Sequence, residues 1–189
     1  MTTIAAVQGA DFAVVAFDSL VSEAEEKIFY LPRSLPKVVR KDNCILGAAG
    51  DLRAVNLIST FDLPTPSQEL RGGKLDVWVG RTFVPKLKDL FEESGYEKDD
   101  EHGSTIILVV NCTIYEIGTS YEWLRDERGF YTTGTGGFYA AGFLLGAGPD
   151  IHTNLESART AALRSVEIAA ALDPLTGGDV HFEELLLPS

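Results

Sequence analysis

Two hydroxyl residues, Thr2 and Thr3, stand directly behind the first methionine of the chain. A methionine followed by a small hydroxyl residue is expected to be trimmed, which makes Thr2 the amino terminus. A threonine there holds a nucleophile and a base in one residue. Its hydroxyl attacks, and its free α-amine, with an ordinary pKa of roughly 7.7 to 8.0, takes the proton. Attack on a carbonyl also needs donors for the oxyanion that forms. The run Gly47, Ala48, Ala49, Gly50 supplies a corner of small residues where a substrate approaches backbone N–H groups closely. Taken by themselves, Thr2 and Thr3 read more simply as a β-favouring strand start.

Other chemistries find little in the chain. The glycine run at Gly134, Gly136 and Gly137 has Tyr139 where a dinucleotide fingerprint needs glycine, and neither GxxxxGK nor GxSxG occurs. His102, His152 and His181 are scattered without ligand spacing. Cys44 and Cys112 lie in apolar stretches with no CxxC, so they read as reduced core thiols and not as a disulfide framework or metal site. No metal or other cofactor is expected. Sixteen Lys and Arg against 28 Asp and Glu give a net charge of -12, which disfavours nucleic acid and anionic membranes as partners. The first residues have no basic start and Asp11 interrupts their apolar run, unlike a secretory signal. The apolar run from Gly136 to Gly148 is too short and glycine-rich to span a bilayer. A cytoplasmic protein of one domain, residues 1–189, is the expectation, with 45% hydrophobic and 23% charged residues to build its core and surface.

The elements that must position these groups follow from patterning. Thr2 to Val7 and Phe12 to Phe17 form a hairpin that brings Asp18 to a strand end. Residues 23–36, charged and broken by Pro32 and Pro36, read as a loop with at most a short extended piece. A second hairpin turns at Asp42 and Asn43, between strands that begin at Lys37 and Cys44, and runs into the small-residue corner. Asp51 sits where an N-cap belongs, ahead of Leu52, Val55, Ile58 and Phe61 on one helical face. Residues 62–76 read as a connection. Phe83, Val84, Leu87, Leu90 and Phe91 mark a second helix that Pro85 starts or kinks, and the acidic segment 92–103 reads as a solvated loop. Strands follow over 104–110, 113–117, 121–124 and 130–133, then a small-residue helix over 138–145. A capping box at Thr153 to Glu156 opens a long helix that stops at Asp173 and Pro174, and a last strand runs over 180–187. Strands in blocks with helices grouped between them predict an α+β fold, a four-layer αββα sandwich of two antiparallel sheets between helix layers.

With these residues in their order, the chain resembles proteasome β-subunits and the HslV-type peptidase, threonine peptidases among the N-terminal-nucleophile hydrolases, over essentially its whole length. The resemblance implies Thr2 as the catalytic threonine, Asp18 sixteen positions later as the acidic residue, and Lys37 as the active-site lysine, with Lys27 as the competing candidate. It implies Gly47 as the oxyanion donor. Thr135 stands where the family has serine, and Asp173 with Thr176 matches the pair near the nucleophile's amine. Ser22 matches a residue whose backbone holds an extended substrate, and Ile45 and Ala49 match the walls of the pocket beside the cut, giving an apolar preference. The segment from Asp18 to Lys37 is longer than the family's, and that from Lys37 to Gly47 is shorter by about two.

The activity so implied is that of a threonine endopeptidase acting on peptides or unfolded protein. It would work inside a homo-oligomeric ring of six or seven copies, single or stacked, fed by an AAA+ ATPase unfoldase. The alternatives are a catalytically inactive ring or scaffold subunit of the same fold, which retention of Met1 would produce, and an amidase acting on a small-molecule amide.

Overall fold

The structure, a computed structural model, describes residues 2–23, 27–97 and 103–188. Its strands are β1 (Thr3–Gln8), β2 (Phe12–Asp18), β3 (Leu20–Glu23), β4 (Lys27–Tyr30), β5 (Val38–Lys41), β6 (Cys44–Ala49), β7 (Thr105–Val110), β8 (Thr113–Ile117), β9 (Trp123–Leu124), β10 (Phe130–Gly134) and β11 (Val180–Leu186). The α-helices are α1 (Leu52–Thr60), α2 (Gly72–Trp78), α3 (Val84–Glu93), α4 (Gly137–Gly146) and α5 (Leu155–Leu172). None of the helices among the described residues is long and apolar enough to cross a membrane.

Two antiparallel sheets, ordered β10-β1-β2-β11 and β5-β6-β7-β8-β9, pack face to face, with β3 and β4 as a separate hairpin. β1 and β2 are buried along nearly their whole length because both faces of their sheet are covered. Ile4, Ala6, Val15 and Phe17 face the second sheet, where they meet Val38, Ile45, Ile107 and Val109. Ala5, Val7, Val14 and Ala16 face α4 and α5. The opposite face of the second sheet, with Leu46, Ala48, Ile106 and Leu108, lies under α1, α2 and α3. The period of two along each strand thus builds three apolar layers and the expected α+β αββα sandwich.

Several local expectations change. Residues 23–36 contribute part of a hairpin, with Leu20 opposite Tyr30 and Ser22 opposite Ile28; the β-branched and aromatic run Ile28, Phe29, Tyr30 outweighs the charges before it, and Pro32 falls beyond the strand. Residues 62–76 are not all connection, since α2 begins at Gly72 and runs through a π-helical turn, Val79–Phe83, directly into α3. Pro85 lies in the first turn after that bulge. Having no N–H, it cannot bond back along the helix, and the wider turn absorbs the mismatch. α5 is capped by Asn154 and not Thr153, the Asn154 side chain accepting from the Ser157 N–H at 3.0 Å, because a short 3-10 turn, Pro149–His152, uses Thr153 as its own end. Asp51 caps α1 as expected, accepting from the Arg53 N–H at 2.8 Å. Met1, residues 98–102 of the acidic loop including His102, and the side chain of Lys27 lie outside the described residues.

Candidate active site

Asp18 is the hub. Leaving the end of β2, its side chain is completely buried, and it receives three donors. Oδ1 accepts from the Thr3 N–H at 2.9 Å and from Lys37 Nζ at 2.7 Å, and Oδ2 accepts from the Gly177 N–H at 3.0 Å. One carboxylate therefore ties together the start of β1, the residue ahead of β5 and the turn before β11. Lys37, 1% exposed, also donates to the Leu20 carbonyl. Burial lowers the Lys37 pKa from its ordinary value, and the charge and hydrogen bond of Asp18 push back only in part. Of the two lysines considered, Lys37 is the one seen on Asp18.

Thr2, 5% exposed, sits immediately before β1 and forms part of two adjoining hollows. The larger, a cleft of about 550 Å³, is lined by Thr2, Ser22, Ala49, Gly50, Thr105, Thr133, Gly134 and Thr135. The smaller is a slot of about 10 Å³ that Thr2 shares with Lys37, Val21, Ala48, Gly50, Leu52 and Val55. Strand alternation explains the split: Val21 and Ser22 are consecutive in β3 and face the slot and the cleft respectively.

A second carboxylate organises the far side. Asp173, at the C-terminal cap of α5, accepts from Thr135 Oγ1 at 2.6 Å and Thr176 Oγ1 at 2.7 Å through Oδ2, and from the Leu175 N–H at 3.0 Å through Oδ1. Burial pushes its pKa up, but the donors more than offset this and hold the carboxyl below its ordinary value. An ionised carboxylate only accepts, so the Thr176 proton points to Asp173. In the 2.6 Å contact between Thr3 Oγ1 and Thr176 Oγ1, Thr3 is then the donor. The proton order Thr3 to Thr176 to Asp173 follows without further choice.

Most residues expected from the sequence meet here: Thr2, Ser22, Ala49 and Thr135 in the cleft, Lys37 in the slot, and Asp18, Asp173 and Thr176 behind them. Gly47 and Ile45 do not. Gly47 lies inside β6, paired with Val38 on one side and Ile107 on the other. A side chain there would meet Val38 and Ile4 between the sheets, and an N–H in a strand paired on both edges belongs to the ladder. Ile45, on that same face, is 1% exposed in the core between the sheets. The residues placed at the hollows are instead Gly50, Ala48 and Leu52. The two glycines that bound the small-residue run differ in register: the first lies inside β6 between the sheets, whereas the one at the turn into α1 borders Thr2. Thr3 was also missed as a network member. Its signal is the alternation itself, since a residue next to Thr2 must point to the opposite side.

Two glycines in this site have no substitute. Gly134, with φ +89°, lies opposite Thr3, and a β-carbon there would fall 1.6 Å from the Thr2 carbonyl oxygen. Gly50 has φ +132°, and its β-carbon would fall 2.5 Å from the Gly103 carbonyl oxygen and 2.8 Å from Ser104 Oγ. Ser104 Oγ accepts the Asp51 N–H at 2.9 Å, which pins the corner. Gly50→Ala is therefore expected to cost about 1–3 kcal/mol of stability through backbone strain, measured by denaturant unfolding, and to displace the wall shared by cleft and slot. Unchanged stability would show that the corner yields freely.

Cysteine is poorly suited to act as the nucleophile. Cys44 and Cys112 are buried in two different cores, and burial pushes their thiols up to about 12 and about 11. His152 bonds the Gln8 carbonyl at 2.8 Å and His181 lies against Phe17, neither near Thr2 among the described contacts.

No family model matches the chain, and no curated protein matches it. Solved structures do. The structure of Thiobacillus denitrificans BPH in complex with epoxomicin superposes over 99% of this chain and 100% of its own, with TM-score 0.73 and 18% identity. A second T. denitrificans BPH structure covers 98% of each chain at 17% identity and TM-score 0.73. The eukaryotic HslV from Trypanosoma brucei covers 97% of this chain and 99% of its own, at 18% identity and TM-score 0.65. At such identities the likeness is one of architecture, and from end to end this chain has the fold of the HslV and BPH structures.

Proposed function

We propose that this chain is a threonine peptidase of the proteasome and HslV type, with Thr2 as its nucleophile once Met1 is removed. The observation that carries the reading is the convergence on Thr2: Lys37 lines the same slot, and Asp18 holds both Lys37 and the Thr3 N–H. Thr2 Oγ1 attacks the carbonyl carbon of a peptide bond while its hydroxyl proton passes to the α-amine of Thr2. The tetrahedral oxyanion is stabilised by a backbone N–H at the corner, a role that the geometry supports for Gly50. The C–N bond breaks as the amine proton moves to the leaving nitrogen, leaving an ester on Thr2. Water, deprotonated by the same amine, hydrolyses that ester. Lys37, charged and fixed by Asp18, favours the neutral amine and lowers the cost of deprotonating the hydroxyl. Thr135, Asp173 and Thr176 position the amine side of the site.

The slot carries the specificity for the residue on the acyl side of the cut. Its walls, Val21, Ala48, Leu52 and Val55, are apolar, and about 10 Å³ is close to the room one water probe occupies. Small apolar residues such as alanine are the fit. Leu52→Ala is expected to shift the preference toward valine or leucine by about tenfold or more in relative kcat/KM, because a missing methylene or two is worth about 1–3 kcal/mol. A cleavage profile by mass spectrometry checks this, and an unmoved profile would place the specificity elsewhere.

Assembly into a homo-oligomeric ring, with an AAA+ unfoldase supplying substrate, belongs to the same proposal. The exposed apolar face of α4, with Phe138 91% and Leu145 62% exposed, supports self-association. The test of the whole reading is hydrolysis of fluorogenic peptides by wild type and Thr2→Ala. Epoxomicin, the ligand in the BPH structure, serves as a binding probe, and intact mass reports the state of Met1. Activity that survives Thr2→Ala would overturn it.

A further inference from the structure

Among the described residues, Ser22 Oγ is the buried side-chain polar atom left without a hydrogen-bond partner. Leaving a buried hydroxyl unsatisfied costs about 1–3 kcal/mol, and such groups in folded proteins call for an explanation. Ser22 belongs to β3 and lines the Thr2 cleft, with Thr105, Thr133 and Thr135 among its other walls. These walls have a common chemistry. Among the described residues, every side-chain polar group lining the cleft is a neutral hydroxyl, and the other lining residues are alanine and glycine.

We propose that the Ser22 side chain is a specificity determinant that hydrogen-bonds an uncharged polar side chain of the substrate, asparagine, glutamine, serine or threonine, held in the cleft. The proposal rests on the peptidase reading and adds the substrate class to it. With no bond to hold it in place, the hydroxyl swings between staggered positions at little cost, and an acceptor or donor in the cleft captures it. Thr135 cannot take this part in full, since its proton is committed to Asp173. A charged substrate group is disfavoured because, among the described residues, no opposite charge lines the cleft to offset its desolvation. At about 550 Å³ the cleft has room for such a side chain, whereas the neighbouring slot does not. The resemblance to the proteasome family assigned Ser22 only a backbone role; the side-chain role comes from the orphaned hydroxyl.

The test uses the assembled protein and near-isosteric peptide pairs, threonine against valine and asparagine against leucine, placed in turn at each of the two positions on either side of the cut. Wild type is expected to favour the polar member by about tenfold in kcat/KM at one position. In Ser22→Ala the ratio within the pair should collapse toward one, and in Ser22→Thr, which restores a hydroxyl, it should persist. No polar preference in wild type, or a preference that survives Ser22→Ala, would overturn the proposal. If wild type cleaves none of the peptides, the peptidase reading fails separately, and calorimetric titration of Thr2→Ala and Thr2→Ala/Ser22→Ala proteins with the same pairs still decides the Ser22 claim. Binding that discriminates the pairs only when Ser22 is present supports it, and equal binding refutes it.

Discussion

Thr2→Ala is expected to reduce peptide hydrolysis by about 10³-fold or more, the scale seen when a hydroxyl nucleophile that acts as a unit with its base is removed. Thr2→Ser should retain measurable turnover, because it keeps both the hydroxyl and the amine. The same logic applies to the other half of the pair. When Met1 remains attached, the Thr2 nitrogen is an amide without a basic lone pair, so such protein should be as inactive as Thr2→Ala, and trimming it with an aminopeptidase should restore turnover in proportion to the fraction trimmed. Wild-type activity should also rise as pH increases through the range in which an ordinary α-amine loses its proton, roughly 7.7 to 8.0. Turnover that is indifferent to the methionine would remove the amine from the mechanism, whatever else the site does.

The second large effect is expected at Asp18. Asp18→Ala withdraws the acceptor of three buried donors: Lys37 Nζ, the Thr3 N–H and the Gly177 N–H. Breaking a buried ion pair from one side costs about 3–5 kcal/mol, chiefly because the surviving charge stays buried without its partner. Activity should fall with stability, because Lys37 loses the group that orients it. The Lys37 pKa lies below 10.5 already, lowered by burial, with the Asp18 charge and hydrogen bond opposing that change. Without Asp18 it falls further. A folded-state pKa below the unfolded one means that stability is greater above pH 10.5 and is lost as pH falls through the folded value. The variant should therefore gain stability with rising alkalinity over a wider range than wild type does. Pairing the change with Lys37→Met separates the two consequences. The double variant removes the stranded charge and should recover part of the stability while remaining inactive. Equal unfolding free energies for wild type and Asp18→Ala would show that water reaches the ammonium.

The αββα layering was legible because it depends on local chemistry repeated along the chain. Alternating faces in β1 and β2, the Asp51 cap and the Asp42 turn each follow from a few neighbouring residues. The hairpin of β3 and β4 was less legible. Its strands are only four residues each, in a stretch rich in charges and followed by prolines, so short-range patterning understated the pairing that brings Ser22 and Val21 to the two hollows. The π-helical turn between α2 and α3 likewise depends on Pro85 at the start of α3, which breaks the regular helical bonding.

What the chain by itself determined was the inventory: two threonines directly behind the first methionine, an aspartate at a strand end, a lysine at the start of a hairpin, and a small-residue corner. Only the tertiary structure decided which atoms meet. Gly47 and Gly50 are three residues apart in a run of similar composition, yet one is enclosed between sheets and the other borders Thr2. Strand register and the +132° turn at Gly50 separate them, and register depends on partners far away in sequence. Thr3 and Thr176 stand 173 residues apart in sequence, yet their side-chain oxygens lie 2.6 Å apart.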